Sequence, residues 1–244
     1  MIASRFAVRL AAVALAVLLA WSPTTTVADE SYHSANGFSL TIPDGWVQIP
    51  QAEIQTMTSR LLAKGNNNVT QDSGFQPKGT EWFTYPYVLT QVIHYPIDRA
   101  PNEREMRQIV QQISGGAANI QNQALSPEAK QLLKNAQAGT PTFDAKKRSF
   151  VMPMTLSVPG IGQVKGIAVG HFGKSDLVQV CCYDQAANYA KQEANFAKIL
   201  DSFKFDASAE YPDSIFGSNP LGMIGAIGIV VIVVAVILKM VKRA

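Results

Sequence analysis

Residues 142–183 read TFDAKKRSFVMPMTLSVPGIGQVKGIAVGHFGKSDLVQVCCY, and this stretch decides the fold. It divides into three extended runs, about 142–158, 162–173 and 176–183, joined by Pro159-Gly160 and by Gly173-Lys174-Ser175-Asp176. Turns that short leave no room for a crossover, so the runs predict an antiparallel meander.

Working outward, residues 185–201 predict a helix with Tyr189, Phe196, Ile199 and Leu200 on one side, and Phe203 and Phe205 close the domain as a short strand. Upstream, Glu81 to Tyr95 predicts the longest strand. Phe83, Tyr85, Tyr87, Leu89, Ile93 and Tyr95 share one face, with Gln91 the exception, while Pro86 and Pro96 restrict the strand to an edge or a bulge. Two helices lie between. The first has Asn102 as N-cap with Glu105 three residues on and ends at Gly115-Gly116; the second starts at Ser126-Pro127 and stops near Gly139.

The N-terminal part opens with a polar stretch, Asp29 to Asn36. Gly37 to Ile42 then alternates as a strand, Pro43-Asp44-Gly45 turns, and Trp46 to Pro50 extends again. Ile54, Met57 and Leu61 place a helix over 51–64, with Gly65 as its C-cap. Gly65 to Lys78 reads as a polar loop containing the glycosylation triplet Asn68-Val69-Thr70. The fold class is therefore α+β: an antiparallel sheet with helices packed on it.

The two ends carry targeting signals. Leu221 to Leu238 is uncharged and apolar, roughly 27 Å long as a helix, and predicts a transmembrane span. The basic tail 239–244 marks its cytoplasmic end. Residues 1–28 have the basic, apolar and small-residue order of a signal peptide; an uncleaved anchor is the alternative. The expected organisation is a signal at 1–28, an extracytoplasmic domain at 29–206, a linker at 207–220, the span at 221–238 and the tail at 239–244. This places the chain in the cytoplasmic (inner) membrane, domain outside and C-terminus inside. The linker reaches at most about 50 Å. Gly222 and Ala226, with Gly225 and Gly228 nearby, have the spacing of a helix-packing face, which suits a homodimer as well as it suits ordinary membrane-helix glycine content.

The formal net charge of +3 belongs to these end segments, and the domain between them is slightly acidic. With no basic stripe, nucleic acid is excluded as a partner. The chain has two cysteines, Cys181 and Cys182, adjacent in a strand. Neighbouring Cα atoms about 3.8 Å apart do not suit a relaxed disulfide. Opposite side-chain directions predict at most one thiol in the core, the other partly covered, with a redox or metal role as the alternative.

Two phrases, Gly37-Phe38-Ser39-Leu40-Thr41-Ile42-Pro43-Asp44-Gly45-Trp46 and Ile199-Leu200-Asp201-Ser202-Phe203-Lys204-Phe205, resemble the opening and closing segments of the PsbP/Mog1-like superfamily. That group includes bacterial periplasmic domains of the DcrB (DUF1795) type. The resemblance spans about 36–206 and implies a binding or assembly module rather than an enzyme. The C-terminal span departs from that pattern.

No sequence motif assigns a reaction. His33, His94 and His171 have no zinc spacing and read as surface or satisfied strand histidines, and no nucleophile elbow or phosphate loop occurs. No catalytic, cofactor-binding or metal residue is expected, and no cofactor. The expectation is a membrane-anchored, non-enzymatic binding module of the bacterial envelope with an envelope or membrane protein as partner. Trp82, Tyr85, Tyr87 and Tyr95 are the candidate contact residues; packing into the core is the other reading of that aromatic face. The alternatives are an envelope enzyme whose site is scattered in sequence, with Cys182 and His171 as one pair to test, and a carrier of a small ligand or metal.

Overall fold

The structure, a computed structural model, describes residues 29–61, 69–94, 100–118, 137–158 and 160–211. Signal, span and tail lie outside these residues, as do Gly65, Asn68, Tyr95 and residues 126–136 of the helix expected from Ser126 to near Gly139. Among the described residues no helix is long and apolar enough to cross a membrane.

Two antiparallel sheets and three helices make up the described fold. The small sheet has the order β1-β2-β11, from Glu30–Ser34, Phe38–Ile42 and Lys204–Phe205. The large sheet contains β3 (Trp46–Gln48), β4 (Val69–Pro77), β5 (Tyr87–His94), β8 (Ser149–Val158), β9 (Gly162–Phe172) and β10 (Asp176–Gln185). Its order is β3-β4-β5-β10-β9-β8, and two short strands, β6 (Gln137–Ala138) and β7 (Thr142–Asp144), pair with the outer edge of β8. The helices are α1 (Gln51–Leu61), α2 (Glu103–Ala118) and α3 (Tyr189–Asp201). The α+β class and the β8-β9-β10 meander follow the sequence pattern.

Local chemistry sets several boundaries. Gly45, at φ +75°, makes the β2–β3 turn, where the Trp46 N–H donates to the Pro43 carbonyl at 3.2 Å. At the start of α2, Asn102 Oδ1 accepts from the Glu105 N–H at 3.0 Å, and Glu105 Oε2 accepts from the Asn102 N–H at 2.8 Å. That is the expected reciprocal cap.

The large sheet is a central layer. On one face, Tyr87, Leu89, Phe150, Met152 and Cys181 pack with Ile54 and Met57 of α1 and Met106 and Ile109 of α2. On the other, Val88, Val92, Val178, Val180 and Cys182 pack under Phe38, Leu40 and Trp46 and under Phe196 and Ile199 of α3. Strand β10 is thus covered on both sides. This corrects the cysteine expectation: both thiols are free and buried. Burial pushes Cys181 up to about 12 and Cys182 well above its ordinary value, so neither is a thiolate at neutral pH.

Other boundaries differ from the sequence reading. The polar opening contains β1. Most of the loop expected at 65–78 is β4, whose polar side chains are matched across the sheet: Ser73 Oγ meets Thr90 Oγ1 at 2.6 Å, and Gln71 Nε2 donates to Gln91 Oε1 at 3.3 Å. The strand expected at 81–95 begins only at Tyr87. Before it, Phe83 has φ +61° and the Tyr85–Pro86 bond is cis, and the Gln76 side chain holds this loop through the Phe83 N–H and the Glu81 carbonyl. Helix α2 runs through Gly115-Gly116 to Ala118. Residues 137–138 are strand rather than helix, and 142–158 splits at a turn into β7 and β8.

Candidate binding groove

The second layer, the small sheet plus α3, does not reach across the whole large sheet. The uncovered part is the outer face of β8; the neighbouring outer face of β9 is partly covered, with Ile167 packed on the second core cluster and Val169 buried. On β8, Phe150, Met152, Met154 and Leu156 are buried toward the helices, while Val151, Pro153 and Ser157 point outward and are exposed. Val151, 37% exposed, is the exposed large hydrophobic side chain among the described residues. Its register partner on β9 is Val169, and Ile167 follows opposite Pro153.

A groove of about 830 Å³ lies over this face. Its floor is Val151, Ile167, Val169 and His171, and its wall is Ala197 and Leu200 of α3 followed by Phe203 and Phe205. The β7–β8 turn closes one end. There Asp144 Oδ1 accepts from the backbone N–H groups of Lys146 and Lys147 at 2.9 and 3.1 Å, and Arg148 takes φ +48°. The Arg148 guanidinium sits over the Tyr211 ring, 4.3 Å from its centroid, and the Tyr211 hydroxyl donates to the Pro101 carbonyl at 2.6 Å. The Ala209 carbonyl accepts from the Lys174 N–H at 2.9 Å. Residues 207–211, read from sequence as the start of the linker, are therefore fastened to the domain beside the groove, and the rest of the expected linker, 212–220, lies outside the described residues.

His171 is neither the surface histidine nor the satisfied strand histidine expected. Its ring stacks on Phe203 with centroids 3.9 Å apart, and its Nε2 is buried with no partner. Burial, reinforced by the Lys147 charge, lowers its pKa to about 4, so the ring is neutral at pH 7. It does not pair with Cys182: on the β9–β10 ladder His171 is opposite Val178 and Cys182 is opposite Ile167. Four residues along a strand separate them by roughly 13 Å. Asp184 is a perturbed acid, its pKa raised by burial, but it does not line the groove. His94 Nδ1 lies 2.5 Å from Asp176 Oδ1, and His33 Nε2 lies 3.1 Å from Ser31 Oγ. Among the described residues no group of three or more His, Cys, Asp or Glu side chains is placed to hold a metal ion.

The aromatic residues singled out from sequence are elsewhere. Tyr87 is fully buried, with Tyr85 stacked on it at 5.0 Å and Tyr183 5.5 Å away. It belongs to the core because alternate residues of β5 face the helix layer, so it presents no contact surface. Trp82 and Tyr85 pack against the same core and remain partly exposed. The groove residues were missed, although two signals for them stand in the sequence: the strict alternation of 150–157 and the basic triplet Lys146-Lys147-Arg148.

No family model matches the chain, and no curated protein matches it. Among solved structures it is similar to the solution structure of cyanobacterial PsbP (CyanoP) from Synechocystis sp. PCC 6803, at 10% identity over 75% of this chain and 95% of that one, with a TM-score of 0.47. It is also similar to the crystal structure of LpqN, involved in cell envelope biogenesis of Mycobacterium tuberculosis, at 14% identity over 73% of this chain and 91% of that one, with a TM-score of 0.35. At these identities neither protein's role passes to this chain.

Proposed function

We propose that this chain is a PsbP/Mog1-like binding module of the bacterial envelope, anchored in the cytoplasmic membrane with its domain outside, and that it recognises an envelope or membrane protein through the groove over β8 and β9. It is not an enzyme in this reading. The observation that carries it is the open, apolar-floored groove, which Tyr211, just ahead of the expected span, also lines. Nine residues lie between Tyr211 and Leu221, so ten Cα-to-Cα steps give a reach of at most about 35 Å. The tether then holds the groove in a thin layer over the membrane, which confines the search for a partner held in the same layer. The resemblance to the PsbP/Mog1-like opening and closing phrases supports the module assignment: Gly37–Trp46 forms β2, its turn and the start of β3, and 199–205 turns α3 into β11.

The test is co-purification of the full chain from solubilised membranes, comparing wild type with Val151→Lys and Tyr85→Ser. The expected result is one reproducible membrane or envelope protein, retained by wild type and Tyr85→Ser and lost with Val151→Lys. Equal recovery with all three forms rules out the groove as the recognition surface.

A further inference from the structure

We propose that the groove takes its partner as an added β-strand, an extended segment with apolar residues at alternate positions. This rests on the binding reading above and names the form of the partner.

Strand β11 is an edge. It pairs with β2 on one side, and no strand among the described residues pairs with the other. Its register shows what that edge offers. The Asp206 N–H donates to the Gly37 carbonyl at 2.9 Å, continuing the ladder in which Lys204 faces Ser39 and Phe205 faces Phe38. Hydrogen-bonded and non-bonded pairs alternate along an antiparallel ladder. Lys204 and Ser39 are therefore a bonded pair, and the N–H and C=O of Phe205 point away from β2. Phe205 lines the groove.

A strand added beside Phe205 would extend the small sheet into the groove that Phe205 shares with Val151, Ile167 and Val169. A segment paired with Phe205 would set alternate side chains down onto Val151, Val169 and Ile167 and the others up to solvent. It would complete the second layer over a sheet that is now covered across only part of its width.

The rim favours a peptide over a single-sign ligand. Lys147, Arg148 and Lys204 stand with Asp144, Asp201 and Glu210 around the same groove. Mixed charge complements the flanks of a polypeptide carrying both signs. It offers no concentrated positive field for a phosphate or an anionic headgroup. On the anchored reading proposed above, the segment belongs to a protein held at the same membrane.

The experiment uses the full chain in lipid nanodiscs and the peptide Lys-Thr-Val-Thr-Val-Thr-Val-Glu. Two further forms carry N-methyl groups, one on the three threonine amides and one on the three valine amides. A strand turns alternate amides toward its neighbour, so one methylated form should bind at least tenfold more weakly than the other. Binding should slow hydrogen exchange at the Phe205 amide at least tenfold, and Val151→Lys should weaken it at least tenfold. Equal binding of both methylated forms, an unchanged Phe205 amide, or no binding of the parent peptide overturns strand addition. If the peptide fails while Val151→Lys still releases a co-purified partner, only the mode of recognition falls. If no partner depends on Val151, the groove reading falls with it.

Discussion

His171 lies face to face with Phe203, their ring planes 6° from parallel and their centroids 3.9 Å apart. The contact joins β9, the floor of the groove, to the segment between α3 and β11, its wall. The stack holds because the imidazole is neutral: a protonated ring would be a buried cation with no acceptor for its Nε2 and with Lys147 nearby.

This gives a pH prediction with a definite sign. The folded-state pKa of about 4 lies below the ordinary value of 6.5. Between those values the unfolded chain binds more protons, so the contribution is fully present above pH 6.5 and is lost as pH falls toward 4. The loss attributable to this group is about 3 kcal/mol. Denaturant melts of wild type and His171→Phe should diverge over that window, with the variant showing the shallower decline. Parallel curves would mean that His171 is not held neutral.

A row of buried amides crosses the large sheet. Gln91 Nε2 donates to Gln179 Oε1, and Gln71 Nε2 donates to Gln91 Oε1. Gln91→Leu leaves both neighbours short of a partner in an apolar layer and should cost roughly 2–4 kcal/mol. Replacing all three glutamines with leucine should cost less than the single change, because no buried polar atom is then abandoned. Chemical denaturation of the single and triple variants checks the order.

Gly170 is fixed by close approach rather than by a turn. A Cβ there would lie 2.2 Å from Phe150 Cε1. Gly170→Ala should destabilise by about 1–3 kcal/mol, as overpacking does, and Phe150→Leu in the same chain should recover part of that loss. Thermal melts of the single and double variants measure the coupling.

Much of the fold is legible in the sequence where local chemistry decides it. The Pro43-Asp44-Gly45 turn, the Asn102–Glu105 cap and the short turns of the meander each act within a few residues. Strand β4 is not legible, because what makes it a strand is distant. Asp72 accepts from Tyr32, Ser34 and Asn36, 36 to 40 residues away, and Ser73 meets Thr90. Read alone, Gln71-Asp72-Ser73 looks like a loop. The burial of both Cys181 and Cys182 depends on a layer on each side of β10, which periodicity within one strand does not reveal. The groove was missed for a related reason: it exists because the small sheet and α3 are narrower than the sheet beneath them. The aromatic run at 82–87 is conspicuous as sequence, yet most of that surface packs inward.

The most direct measurement is site-specific photocrosslinking in living cells, using the full chain with a photoreactive phenylalanine at Val151 or, in a second strain, at Tyr85. The expected result is a discrete protein adduct from position 151, diminished when Val169→Lys is added, and none of comparable yield from position 85. An adduct from position 85 with none from 151 would contradict it and return recognition to the aromatic run.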